Sequence, residues 1–231
     1  MKRTCLLIPV LVAALVLAPT ASARVVELGA VADAVNPSCP ADPCEAAVRV
    51  TGLQGRAAGG PKNPYYIRRD GYIVAFTLTL AAPTAEQITF FNDNFGSPPE
   101  VGLAVLRKGR TRKTRLNYRL VNQSEMFEVQ DYFGSKPTFV LDPPLRVKKT
   151  NWIGITVPTW APIFANNLTR SDWWRASRAK DSCEAPRSLR QFAVTELREV
   201  ATFGCTYSGA RLLYTVTYVP DPRPTVEEDE G

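Results

Sequence analysis

The 231-residue sequence contains no histidine, and this absence excludes several kinds of chemistry. A serine or cysteine nucleophile activated by histidine is excluded, and so is the most common general base near neutral pH. Long apolar runs are also scarce, because the run from Leu6 to Leu17 is shorter than the roughly 20 residues that a membrane-spanning helix needs. The sequence therefore predicts neither a histidine-based catalytic site nor a membrane span.

The first 23 residues have the features of a secretory signal peptide. Lys2 and Arg3 precede the apolar run, and an Ala-Ser-Ala sequence over residues 21–23 is typical of a cleavage site. We therefore expect a mature protein that begins near Arg24 and is secreted to the extracellular space. Removal of the signal peptide lowers the formal net charge from +6 to +4, a balance that favours anionic surfaces such as cell-wall polymers.

Four cysteines remain after the predicted cleavage, because Cys5 lies in the signal peptide. An even number of cysteines in an oxidising compartment indicates disulfide bonds. Of the three possible pairings we favour Cys39–Cys44 with Cys183–Cys205, since each bond then closes a loop within one region of the chain. A zinc site is the alternative, but the spacing fits no common zinc finger and histidine is absent.

Short segments of alternating polarity recur along the chain with the period of two that strands have. The segments with this pattern are residues 48–51, 74–80, 101–105, 116–120, 127–129, 139–141, 153–157 and 212–218. Eight or more short strands predict an all-β fold, a two-layer antiparallel β-sandwich of the jelly-roll kind. We expect it to form a single domain over residues 24–219.

Three segments depart from the strand pattern. Apolar residues at helical spacing predict at most one short helix near the second disulfide; they lie within residues 189–200. The Asn-Asp-Asn sequence at 92–94 predicts a turn, which we favour over a calcium loop because the spacing and trailing glutamate of an EF-hand are missing. Residues 220–231, with four consecutive acidic residues, predict a disordered tail.

Two segments resemble uncharacterised secreted actinobacterial proteins with jelly-roll-like sandwich domains. Residues 142–155 pass from Asp-Pro-Pro through the polar turn Lys149-Thr150-Asn151 into Ile153-Gly154-Ile155, and such domains commonly begin a strand with Ile-Gly-hydrophobic after a polar turn. The closing segment 209–214 resembles the last strand of these proteins. The resemblance implies a sandwich and an extracellular location, and it implies no activity and no site residues.

The first candidate binding surface is aromatic and lies in what the pattern predicts to be one long connection. Exposed rings stack on the apolar faces of sugars, and neighbouring polar side chains can bond to hydroxyl groups. The alternative is that the rings form a small core at the end of the sandwich. The candidate residues are Trp160, Phe164, Asn166, Asp172, Trp173, Trp174 and Arg175.

The second candidate surface is a basic run in a predicted hairpin between two strands. Such a concentration of charge attracts phosphate or uronate polymers, whereas the alternative is a solvated hairpin tip that discourages edge-to-edge pairing of sheets. Recognisable nucleic-acid-binding modules are absent from the sequence around it. The candidate residues are Arg107, Lys108, Arg110, Arg112, Lys113 and Arg115.

Enzymatic interpretations find little support in the sequence. Ser177 and Lys180 match a Ser-x-x-Lys pattern, but its companion motifs are missing. Glycoside hydrolysis needs two carboxylates across a sugar, and Glu128 has no sequence-near partner on its strand face, since Glu125 and Asp131 point the other way. We therefore predict no catalytic residue, no metal and no cofactor.

Together these patterns predict a secreted, disulfide-stabilised β-sandwich with a non-catalytic binding role. The expected partner is a cell-surface or extracellular polysaccharide or an anionic cell-wall polymer, and nucleic acid is not expected. Two alternatives stay open: a structural or adhesive cell-surface protein that recognises another protein, and a glycosidase that uses carboxylates.

Overall fold

Two antiparallel sheets form the fold in the computed structural model, which describes residues 24–32, 34–183 and 191–222. Within these residues the α-helix is α1 (Ala85–Phe95), and short 3-10 helices span Gln130–Tyr132 and Lys180–Ser182. The strands are β1 (Val26–Leu28), β2 (Ala47–Arg56), β3 (Gly71–Leu78), β4 (Glu100–Lys108), β5 (Asn117–Gln123), β6 (Phe127–Glu128), β7 (Thr138–Val147), β8 (Asn151–Ala161), β9 (Phe164–Ala165), β10 (Trp173–Ala176), β11 (Val200–Thr202), β12 (Cys205–Ser208), β13 (Arg211–Leu212) and β14 (Tyr214–Pro220).

The smaller sheet has the strand order β1-β14-β3-β7, and the larger sheet has the order β11-β5-β4-β8-β2-β10-β12 with β6 beside β4. Strands β9 and β13 form a separate short pair. The chain crosses between the two sheets from β1 to β2, from β2 to β3, from β3 to β4, from β6 to β7, from β7 to β8 and from β12 to β14. The predicted all-β sandwich with jelly-roll-like crossings is confirmed.

The main core lies between the two sheets and follows the predicted alternation. In β8, Ile153, Ile155 and Val157 point inward, and in β14, Val216 and Tyr218 do the same. Successive side chains of a strand point to opposite faces, so every second residue is buried and its neighbours form the outer face of the sheet. Complete burial of one such aliphatic side chain stabilises the fold by about 1.5–3 kcal/mol.

The predicted helix near the second disulfide is wrong in position. Residues 184–190 lie outside the described residues, and residues 191–200 are not helical. The helix is α1 instead, and it includes the 92–94 segment that was predicted to be a turn. Local capping explains this position, because Thr84 and Gln87 form a reciprocal capping box and the Gly96 N–H donates to the Asn92 carbonyl at 3.0 Å.

Residues 191–199, called the covering segment below, lie on the outer face of the larger sheet. The Phe192 N–H donates to the Arg49 carbonyl at 2.9 Å, and the Val194 N–H donates to the Thr51 hydroxyl at 2.8 Å. Because the sheet takes these backbone donors, the segment is extended where its apolar spacing predicted a helix. A second, smaller core lies beside it and consists of Leu53, Ala104, Leu106, Tyr118, Leu120, Val194 and Phe203.

Both predicted disulfides are present. Cys39 pairs with Cys44, and Cys183 pairs with Cys205. The second bond joins the end of the Lys180–Ser182 turn to β12, and the Tyr207 hydroxyl donates to the Cys183 carbonyl at 2.5 Å. This disulfide therefore closes a loop of the chain that contains the covering segment.

The chain ends differ partly from the sequence predictions. The predicted signal peptide and residues 223–231 lie outside the described residues. Residues 220 and 221, which were assigned to a disordered tail, belong to the packed structure: β14 ends at Pro220, and Arg146 donates to both Asp221 carboxylate oxygens at 2.9 and 2.8 Å. Among the helices of the described residues, none has the length and apolar character needed to cross a membrane.

Candidate binding cleft

A cleft of about 270 Å³ lies on the outer face of the larger sheet, beside the second core. It crosses β5, β4, β8, β2 and β10, and the loop after β2 forms one side. We call it the aromatic–cationic cleft. Its lining residues are Leu53, Gln54, Gly55, Lys62, Asn63, Lys108, Tyr118, Trp152, Trp173 and Arg175.

Strand alternation explains why Trp173 and Arg175, two candidates of the predicted aromatic surface, reach this cleft. In β10, Trp174 and Ala176 belong to the main core, so Trp173 and Arg175 lie on the opposite, outer face. The same rule applies to β8, where Ile153 and Ile155 are buried in the main core and Trp152 faces outward. The cleft therefore gathers the outward residues of strands that are distant in sequence.

The two tryptophan rings of the cleft are held by different contacts. Trp152 packs edge-to-face against Tyr66 and Tyr118, with ring centroids 5.2 and 6.1 Å apart. Trp173 lies directly over Gly55, where a β-carbon would overlap the ring. Glycine at position 55 therefore allows the Trp173 ring to approach the backbone of β2.

Two cations lie against these aromatic rings. The Lys108 Nζ is 5.6 Å from the Trp152 ring centroid and 5.9 Å from that of Tyr118. The Arg175 guanidinium carbon is 5.5 Å from the Trp173 ring centroid. Cation–π attraction at such distances favours these positions. Burial, and then the positive charges of Arg175 and Arg115, lower the pKa of the Lys108 ammonium below its usual value.

A second cavity of about 500 Å³ adjoins the cleft at Lys108 and is called the basic groove. Arg107, Lys108 and Arg110 from the predicted basic run line it, together with Arg119. Arg112, Lys113 and Arg115 are exposed on the loop 109–116, which joins the antiparallel strands β4 and β5. Within the described part of the chain, none of the six predicted basic residues forms an ion pair with a carboxylate.

The aromatic candidates divide between the cleft and the core. Trp160 is fully buried, stacks on Phe91 at 4.7 Å and donates to the Asn92 side chain at 2.9 Å. Phe164 and Trp174 are also buried and contact each other edge-to-face. These three rings are not available for stacking on a ligand. The prediction that these rings lie in one long connection is wrong. Trp160, Phe164 and Trp174 lie in β8, β9 and β10, and their side chains are buried.

The polar candidates of the aromatic region have different roles. Asp172 is buried and accepts from the Arg211 guanidinium at 2.6 Å, and it also accepts from the Ala58 N–H at 3.1 Å. Its carboxylate therefore serves the structure and does not reach the cleft. Asn166 is half-buried beside Asn167, outside the cleft. Arg175 is the candidate polar residue of this region that lines the cleft.

Sequence reasoning missed several residues that line the cleft. Trp152, Tyr118, Lys62 and Asn63 were not among the candidate site residues, although each lines the cleft. The signal for Trp152 was present, since Trp152 directly precedes Ile153 in a predicted strand and therefore lies on the face opposite to Ile153 and Ile155. The signal for Lys62 and Asn63 was absent, because their loop reaches the cleft only through the tertiary fold.

The residues considered for catalysis lie elsewhere or have structural partners. Glu125, Glu128 and Asp131 are exposed around β6 and the adjoining 3-10 helix, away from the cleft lining. Ser177 is buried; its hydroxyl accepts from the Thr51 N–H at 2.8 Å and donates to the Phe192 carbonyl at 2.5 Å. The Ser177 hydroxyl is therefore bonded to two backbone groups, and through them it attaches the covering segment to β2.

A larger cavity, of about 760 Å³, lies between residues 27–32 and 34–35 and the outer face of the smaller sheet. Threonine side chains line much of it, and of its two basic residues Arg211 is paired with Asp172 in the buried ion pair, while Lys136 is exposed. The Tyr65 hydroxyl donates to the Tyr214 carbonyl, and burial raises the pKa of Tyr65. We favour the smaller cleft as the site, because its lining combines two tryptophan rings with three cations and contains no carboxylate, whereas Glu27 lines the larger cavity.

No protein-family model, curated protein or solved structure matches this chain. The resemblance to secreted actinobacterial sandwich proteins therefore stays a prediction. The function has to be inferred from the chemistry of the cleft.

Proposed function

We propose that the protein is a secreted, non-catalytic binding protein that recognises an extracellular polysaccharide through the aromatic–cationic cleft. One observation carries this proposal: Trp152 and Trp173 lie with Lys108 and Arg175 in a single cleft on an open sheet face. Aromatic rings stack on the apolar faces of sugars, and the cations and Asn63 can donate hydrogen bonds to sugar oxygens.

The ionisable groups of the cleft support binding without cleavage. They are Lys62, Lys108, Tyr118 and Arg175, which are donors at neutral pH. Glycoside hydrolysis needs one carboxyl group as an acid and a second as a base or nucleophile. The lining residues therefore suit recognition of a sugar and do not supply the pair of groups that would break its glycosidic bond.

Two disulfides and the predicted signal peptide support an extracellular location. Disulfides persist in oxidising compartments, and polysaccharides of the cell surface are available there. The mild positive charge of the predicted mature chain is compatible with such a partner.

Affinity electrophoresis through gels that contain a soluble polysaccharide tests the proposal. The panel consists of dextran, dextran sulfate, polygalacturonate and methyl-esterified polygalacturonate. We expect retardation by at least one of these polymers, and Trp173→Ala should weaken it about fivefold, since a stacked ring contributes about 1 kcal/mol. The melting temperature should change little, because the Trp173 side chain is partly exposed.

Phe90→Ala is the matched control, because Phe90 is an aromatic residue that is 57% exposed on α1, outside the cleft. It should leave the retardation unchanged. Retardation by none of the polymers would overturn the proposal and favour the structural or adhesive alternative. An increase in reducing ends on incubation with a bound polymer would overturn its non-catalytic part.

A further inference from the structure

The cleft holds more positive charge than its described surroundings neutralise. Lys108 and Arg175 line the same cavity of about 270 Å³, and neither forms an ion pair with a described carboxylate. Like charges in a partly buried site repel each other, and water screens this repulsion less there than on an open surface. An anion between the two cations would remove the repulsion.

Arg175 also has hydrogen-bonding capacity that the described protein does not use. Its Nε is buried and has no acceptor among the described residues. Stacking on Trp173 positions the guanidinium, whose fork of N–H donors suits the paired oxygens of a carboxylate, sulfate or phosphate. Hydrogen bonds to an ionised acceptor are roughly twice as strong as neutral ones.

The size and surroundings of the cleft indicate what carries the anion. Its volume is near the lower end of the range for ligand sites, roughly 300 Å³, which suits one sugar residue. Trp152 and Trp173 offer ring contacts beside the two cations, and the basic groove continues from Lys108 past Arg107 and Arg119. A polymer with repeated negative charges would contact both cavities.

We propose that the cleft recognises an acidic polysaccharide, and that an anionic oxygen group of one sugar residue binds between Lys108 and Arg175. This inference rests on the proposed function and names its substrate class. The shared chemistry is an oxyanion on a sugar chain, supplied by a uronate, a sulfate ester or a phosphodiester. Single-stranded nucleic acid also combines phosphates with stacking groups, but the disulfides favour an extracellular partner.

Matched pairs of polymers test the inference with the full chain. Polygalacturonate and its methyl ester differ in charge on the same sugar backbone, and dextran sulfate and dextran phosphate are each compared with neutral dextran. We expect at least one acidic polymer to bind about tenfold or more tightly than its neutral counterpart at 0.1 M salt. Lys108→Gln and Arg175→Gln should each remove most of this preference, because each loses a charged hydrogen bond.

Two control variants separate this role from general charge and from structure. Lys136→Gln removes one positive charge at an exposed position outside the cleft and should keep the preference. Lys108→Arg retains the positive charge and should therefore retain most of the preference for the acidic polymer. The melting temperatures of all variants are measured, and an equal loss of preference in Lys136→Gln would overturn the assignment to Lys108 and Arg175.

The pH profile is a readout that a purely structural role of Lys108 would not change. Only the protonated ammonium attracts an anion, so affinity should be full near neutral pH and fall as the pH rises through the lowered pKa of Lys108. Lys108→Arg should give a flatter profile, because arginine stays protonated. The titratable and charged groups around Lys108 are Lys62, Tyr118 and Arg175 in the cleft, Arg107, Arg110 and Arg119 in the basic groove, and Arg115.

The outcomes distinguish this inference from the proposed function. Equal binding of the charged and neutral member of each pair would overturn the inference and leave polysaccharide binding in place. Binding to none of the polysaccharides would overturn both. Tighter binding of the single-stranded DNA oligomer (dT)20 than of every polysaccharide would also overturn both and indicate nucleic acid as the partner.

Discussion

Single residues determine which aromatic rings face solvent in this protein. Trp173 and Trp174 are adjacent in sequence, yet Trp173 lines the cleft while Trp174 stacks on Tyr207 in the core at 4.8 Å. The difference follows from the alternation of β10, and the ladder with β2 shifts its register between these two residues, at Gly55 of β2. At this scale the cleft depends on small residues as well, because Gly55 provides the surface on which the Trp173 ring lies.

Gly55→Ala should reduce polysaccharide binding by displacing the Trp173 ring. The new β-carbon would overlap the ring, which has to swing away from β2. We expect a loss of affinity similar to that of Trp173→Ala, about fivefold, measured by affinity electrophoresis. The cost in unfolding free energy should be small, since a partly exposed side chain can move.

A crystal structure of the Gly55→Ala variant provides the direct check. Unchanged affinity together with an unmoved Trp173 ring would show that the overlap is relieved elsewhere. Gly209 is unsuitable as a control, since its φ of 73° favours glycine for a different reason. Ala58→Gly, in the loop after β2, is used as the control. The backbone N–H of residue 58 donates to Asp172, and this hydrogen bond is available with alanine or glycine at the position.

Among the elements, the covering segment determines how much of the outer sheet face is open. It is attached through buried hydroxyl groups, with Ser177 linking the Thr51 N–H to the Phe192 carbonyl and the Thr51 hydroxyl accepting from the Val194 N–H. The segment closes one part of the face over the second core. The remaining part, with Trp152 and Tyr118, forms the cleft.

Ser177→Ala should loosen the covering segment and lower the unfolding free energy by about 1–3 kcal/mol. The physical reason is that the buried Thr51 N–H and Phe192 carbonyl would lose their shared partner. Hydrogen exchange should accelerate at the Phe192 and Val194 amides more than in the main core. Denaturant unfolding and hydrogen-exchange mass spectrometry measure the two effects.

Ser208→Ala is the matched control for this experiment. Ser208 is exposed in β12, so its substitution removes the same hydroxyl oxygen from a position where no buried backbone group depends on it. The control should change stability by less than about 0.5 kcal/mol. If both variants behaved alike, the Ser177 hydroxyl would have no special role in holding the covering segment.

For the whole molecule, charge is distributed unevenly, although the formal net charge is only +6 over the full sequence. The basic run on β4 and the following loop places exposed cations beside the basic groove. Such a local field attracts acidic polymers from a distance and contributes mainly to the rate of association. The cleft residues would then determine how long the polymer stays bound.

Replacing Arg110, Arg112 and Lys113 together by glutamine should leave folding intact and slow association with an acidic polysaccharide. These side chains are exposed, so their removal costs little stability. Surface plasmon resonance at several salt concentrations should show a weaker salt dependence than in the wild type. At about 1 M salt the two proteins should behave alike, because the Debye length is then about 3 Å.

The control replaces Arg24, Lys136 and Arg170 together by glutamine, which lowers the net charge by the same amount at exposed positions elsewhere. It should associate at nearly the wild-type rate. A similar decrease in both triple variants would indicate that net charge, and not the basic run, controls association.

The sequence alone determined the fold class and the covalent framework. Alternation marked the segments that became β3, β4, β8 and β14, since strand geometry alternates the faces of neighbouring residues whatever the surroundings. The even cysteine set and its loop lengths indicated the two disulfides that are present. Alternation also predicted that Trp152 and Ile153 lie on opposite faces, although not which face would stay open.

Tertiary structure decided the position of the helix and the composition of the cleft. The apolar spacing around 191–200 was helical, but backbone bonds to Arg49 and Leu120 hold that segment against the sheet. Lys108 and Arg175 meet in one cleft because β4 and β10 are separated in the larger sheet only by β8 and β2. Strand order depends on packing between distant segments, and local periodicity contains no information about it.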